Sequence, residues 1–181
     1  MGDGGGMGYG RYGGAADARF IVMMIPHHEG AIAMAELALR RARRREIKAL
    51  AQRIKASQGA EIVQMRRWYK QWFNADVPSW GWAGGYGMGM EMGGGMGRGM
   101  PGWDTSLEAL RNASDFDRAF IEQMIPHHRM GVMMASHAQW NTQHPELRKL
   151  EASMVRVQSE EIEQMSQWYQ KWYGSPTGRR G

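Results

Sequence analysis

The chain contains no cysteine. That excludes a disulfide framework and a thiolate metal site, so any soft-metal chemistry must use thioether and imidazole. It also lacks a run of about eighteen apolar residues that could span a bilayer, and it lacks the charged start and apolar stretch of a signal peptide. If the protein is exported, to the periplasm or beyond the cell, this is its mature form without its signal peptide. No stretch alternates with the two-residue period of a strand. No nucleophile, acid–base dyad or phosphate loop supports hydrolytic chemistry.

What remains is a chain of 181 residues, 43% apolar, enough for one modest core. Methionine (17), glycine (25) and tryptophan (8) are over-used. The net charge of +5 comes largely from Arg40, Arg41, Arg43, Arg44 and Arg45, with Arg179 and Arg180 near the end. The first run sits where one helix should end, a place that favours cations, so it reads as a solvated turn and not as a nucleic-acid site.

Residues 1–16 form a glycine-rich tail with too little apolar surface to offset its ordering entropy. Asp17 can cap a helix running to about Arg43, with Phe20, Met24, His27, Ala31, Met34 and Ala38 on its seam. After a turn near Arg44 a second helix places Ile47, Leu50, Ile54, Gln58, Glu61, Met65, Trp68 and Trp72 on one line. Residues 17–73 are therefore an antiparallel helical hairpin. The stretch 74–114 is a Gly/Met/Trp-rich linker carrying Met88, Met90, Met92, Met96 and Met100, with a short helix from Asp104 or Thr105 through Arg111. Ser114 and Asp117 resemble a capping box that opens the next helix. A second hairpin fills 115–173, and 174–181 is a tail after Gly174 and Pro176.

Placing residue n over n+100 from Asp17 to Phe73 needs no gap and gives 21 identities in 57 positions. This is an internal duplication. One hairpin leaves its apolar stripe exposed, whereas two bury it against each other. The expected fold is all-α: a four-helix bundle of two duplicated hairpins joined by a long Gly/Met-rich crossover. It closes within one chain or by pairing hairpins between chains, so an oligomer stays open.

The most distinctive repeat is Met24-Ile25-Pro26-His27-His28, which recurs as Met124-Ile125-Pro126-His127-His128. On a helix the methionine lies three and four positions from the histidines, so a thioether and two imidazoles crowd one turn. Pro26 and Pro126 remove a helical N–H beside them, and a kink is expected there. With a turn near residue 44, residues whose numbers add to roughly 88 face each other. That sets Glu61 opposite His27 and Met65 opposite Met23 and Met24, and likewise Glu161 opposite His127 and Met165 near Met124. The glutamates are then carboxylates that orient metal-bound imidazoles, or direct ligands themselves. Such a set favours Cu(I), and by extension Ag(I), over harder ions, while the histidines also suit Cu(II). Met34 and Met134 serve equally as core filler or ligand. Met130, Met133 and His137 form a further set found only in the second copy, and the linker methionines can wrap a soft cation.

These motifs resemble the bacterial domain-of-unknown-function family 305, whose signature is Met-(Ile/Met)-Pro-His-His followed by small residues and Met-Ala. Here the signature is Met24 to His28 with Met34-Ala35, and Met124 to His128 with Met134-Ala135, in two tandem copies. The resemblance implies a ferritin-like helical bundle, export to the cell envelope and kinship with CopM-type copper-binding proteins associated with copper tolerance. By resemblance, Met24, His27, His28, Met124, His127 and His128 take a copper-binding role. The second copy departs after its signature, with Arg129-Met130-Gly131 in place of Glu29-Gly30-Ala31.

The leading expectation is a non-enzymatic protein that sequesters, buffers or transfers copper with a donor or acceptor protein. One alternative is a redox metalloprotein that oxidises Cu(I) or a small reductant, and another is a structural or adhesive module. A di-iron centre would need Glu-x-x-His pairs, but Glu61 and Glu161 are followed three residues later by Gln64 and Gln164.

Overall fold

The computed structural model describes residues 10–78 and 107–174. Among these described residues five helices follow in order: α1 Gly10–Arg41, α2 Arg45–Phe73, α3 Leu107–Asn112, α4 Phe116–Ala138 and α5 Pro145–Tyr173. Among the described residues there is no strand, and no helix is long and apolar enough to cross a membrane. α1 packs on α2 and α4 on α5, and the two hairpins meet through α1 against α4. The result is the four-helix bundle expected from the duplication. Met88, Met90, Met92, Met96 and Met100 lie outside the described residues.

The seams are where the periodicity places them. Phe20, Met24, His27, Ala31, Met34 and Ala38 are all buried on α1, as are Ile47, Leu50, Ile54, Gln58 and Met65 on α2. Both Pro26 and Pro126 lie inside helices that continue through them.

The helix starts differ from expectation in an instructive way. α1 begins at Gly10 rather than at Asp17. Asp17 is fully buried, and its carboxylate accepts from the backbone N–H groups of Gln143 (3.1 and 3.2 Å) and His144 (3.1 Å) at the start of α5. Its counterpart Asp117 accepts from the N–H groups of Arg43 and Arg44, each at 3.0 Å, at the start of α2. The residues preceding α2 and α5 are Arg44 and His144, neither of which caps with its own side chain. The chain entering each of these helices is thus held by a carboxylate from the opposite hairpin. Because Asp117 is committed to α2, the α4 cap is Asp115, which accepts from the Arg118 N–H at 3.2 Å, and not Ser114.

The same two ends carry stacked aromatic lids. His144 donates from Nδ1 to Asp17 at 2.6 Å, and its ring lies 3.6 Å from that of Trp72 at 8°. The Arg44 guanidinium sits 4.0 Å over Trp172. α3 buries Leu110 in the same cluster as Leu37, and Arg41 donates to the carbonyls of Leu110, Arg111 and Ala113.

Candidate metal centre

Where α1 crosses α4, the two signatures meet. His27 and His127 stack with ring centroids 3.9 Å apart and 28° between their planes. Close approach is allowed by missing side chains. A Cβ on Gly131 would stand 3.0 Å from His27 Cε1 and 2.3 Å from Gln158 Oε1, and one on Gly30 would stand 3.4 Å from His127 Nε2. His27 donates from Nε2 to the His127 carbonyl at 3.1 Å.

The neighbouring histidines turn the other way, toward their own hairpins. His28 donates from Nε2 to Glu61 at 2.6 Å, and His128 to Glu161 at 2.8 Å. The pairing rule is therefore off by one residue. Consecutive helical residues diverge by about 100°, so the first histidine of each pair faces the opposite hairpin and the second faces the return helix. The orienting carboxylates serve His28 and His128, while His27 and His127 hold each other.

All four histidines are buried, with no more than 6% of any exposed. In each of them Nδ1 has no hydrogen-bond partner. For His27, His28 and His128 the acceptor at Nε2 takes the ring proton, which leaves Nδ1 with a bare lone pair. A buried acceptor without a donor is costly unless an ion or water completes it. Burial, followed by the neighbouring His28, lowers the His27 pKa to about 3, and burial followed by His27 lowers that of His127 to about 2. Both rings are thus neutral and able to ligate at ordinary pH.

The buried thioethers fall in two related hydrophobic groups. Met24 and Met65 share one buried cluster, with Met134 packed against it. Met124, Met165 and Met34 share the other. Each group takes two methionines from one hairpin and one from its partner. Among the described residues no three His, Asp or Glu side chains converge to hold a metal, so thioethers would have to complete a shell here. Neutral imidazoles with thioethers in a dry site suit a soft monovalent ion.

Two further polar side chains belong to this region. Gln58 and Gln158 are 3% and 2% exposed, and Gln58 Oε1 and both polar atoms of Gln158 lack partners. The periodicity puts both on the seam, and a glutamine recurring at a core position was the available signal for a polar role. Met130, Met133 and His137 do not join the centre: Met130 is half-buried, and Met133 and His137 are exposed. A cleft of about 600 Å³ between α2 and α5 reaches Glu161 from outside.

Fold and site together define a duplicated helical bundle with paired imidazoles at the crossing of its hairpins and buried thioethers in its core. The chain belongs to the DUF305 family, a domain of unknown function, whose profile matches residues 17–169. Among solved structures it is similar to CopM in the apo form, with 46% identity, a TM-score of 0.72 and coverage of 87% of this chain and 98% of that one. CopM in the Cu(I)-bound form matches at 47% identity with the same TM-score and coverage, and CopM is also known in Ag-bound and Cu(II)-bound forms. A DUF305 protein from Streptomyces coelicolor, provisionally named as secreted, is 27% identical with a TM-score of 0.70, covering 86% of this chain and 93% of that one. No curated protein matches the chain.

Proposed function

We propose that this protein binds copper, Cu(I) above Cu(II), with Ag(I) as a substitute, and that it sequesters, buffers or hands on the ion in the cell envelope. The observation that carries this reading is the set of four buried Nδ1 atoms without a hydrogen-bond partner on His27, His28, His127 and His128, three of them left as lone pairs by an acceptor at Nε2. In the proposed centre those nitrogens ligate together with Met24, Met65, Met124 and Met165. Met34 and Met134 close the two thioether groups, and Glu61 and Glu161 hold His28 and His128 in the ligating tautomer. Kinship with CopM, which is known with copper and silver bound, supports the choice of ion. The Streptomyces relative supports export. The role is binding and exchange, not turnover, and copper is cargo.

An anaerobic competition titration against a chromophoric Cu(I) chelator tests the reading. It compares the intact chain with a His28→Gln, His128→Gln variant whose helical content is verified by circular dichroism. Tight binding that weakens in the variant supports the buried centre. Equal binding by both would move the function to other methionines, and no competition would end the copper reading.

A further inference from the structure

α1 and α4 correspond residue for residue under the hundred-residue offset, yet one line along them differs. Starting at buried His127 and stepping by three, three, four and three, α4 and the turn after it present Met130, Met133, His137 and Trp140. The same line on α1 reads Gly30, Ala33, Leu37 and Arg40. Exposure rises along the α4 line: His127 is 3% exposed, Met130 half-buried, Met133 58% exposed and Trp140 86% exposed. Outward helix positions normally carry charged or polar residues. Here they carry thioethers, an imidazole and an indole, each about one 5.4 Å turn from the last.

We propose that Met130, Met133 and His137 form an exchange ladder on α4, along which a soft monovalent cation passes between solvent and the buried His127. The identity of the ion rests on the soft-metal reading of the centre; the path is a separate claim. His137 with Met133 (i, i+4), Met133 with Met130 (i, i+3) and Met130 with His127 (i, i+3) give three successive two-donor rungs. Two neutral soft donors hold such an ion weakly enough to release it, which is what passage through a series of sites requires. Trp140 offers an aromatic face to the cation at the outer end. Met134 is not a rung, because it packs inward against the Met24–Met65 cluster. α1 has no such ladder, so exchange is confined to one hairpin of the pair.

The test uses the full chain with ¹³C-methyl methionine and ¹⁵N-indole tryptophan, titrated with Ag(I). The methyls of Met130 and Met133 and the indole of Trp140 should shift, alongside those of Met24 and Met124. The exposed substitution His137→Ala should abolish the Trp140 shift, reduce that of Met133, whose rung with Met130 remains, and leave Met24 and Met124 responding. Met133 and Trp140 unmoved at saturation, while Met24 and Met124 move, would overturn the ladder alone. Silence at all of them would overturn the soft-metal reading with it. Met130→Leu should also slow withdrawal of bound Cu(I) by excess chelator about tenfold at unchanged stoichiometry, and an unchanged rate would remove Met130 from the path.

Discussion

The ring of His27 lies on the ring of His127, 3.9 Å between centroids, although the two residues stand one hundred positions apart in the chain. Two imidazoles so placed cannot both carry a proton in a dry core, and burial with mutual repulsion holds each pKa far below 6.5.

The metal-free protein should therefore lose stability as pH falls from 6.5 toward 3. In that window the unfolded chain binds protons at His27 and His127 while the folded chain does not, so stability is present above 6.5 and lost on acidification. Each histidine contributes a slope of up to about 1.4 kcal/mol per pH unit. Glu151 opposes it: burial raises its carboxyl to about 7, so its contribution is present below its ordinary 4.5 and lost as pH rises through 7. Urea midpoints across pH 4 to 7.5 in a Glu151→Gln background isolate the histidine slope. A flat profile there would contradict the neutral, desolvated pair.

In the proposed centre, Glu61 and Glu161 would act on copper through His28 and His128. Changing either to alanine should weaken Cu(I) binding by about 10- to 100-fold, the usual effect of removing a carboxylate that orients a ligating histidine. The helical content should be unchanged. Chelator competition reads the affinity, and an unaltered value would mean that the carboxylates serve only the fold.

Much of this architecture was legible before the structure. The offset of one hundred residues, the turn near Arg44 and the apolar seam gave the hairpins, because burial of a helical stripe follows directly from its period. The burial of the histidine pair was legible, but its pairing was not: the turn fixes which helical turns face each other without fixing rotation, and His28 takes Glu61 in place of His27. The caps were harder still. Asp17 and Asp117 look like local caps in sequence, yet each is used by a helix of the other hairpin, and only the packing of α1 on α4 brings those partners together.

Two glycines separate close packing from helix propensity. Gly131→Ala should destabilise by about 1–3 kcal/mol and weaken copper binding, because its Cβ would meet Gln158 and His27. Gly59→Ala, in α2 with nothing within 4 Å of the new Cβ, should stabilise by about 1 kcal/mol. Denaturant midpoints check both. Equal effects at the two positions would show that the α1–α4 crossing is looser than described.

The most direct measurement is copper K-edge X-ray absorption on the Cu(I)-loaded chain with Met88, Met90, Met92, Met96 and Met100 all changed to leucine. A buried centre predicts a mixed shell of imidazole nitrogen and thioether sulfur that survives these changes. A shell without imidazole, or loss of bound copper from this variant, would contradict the assignment of the ion to His27, His28, His127 and His128.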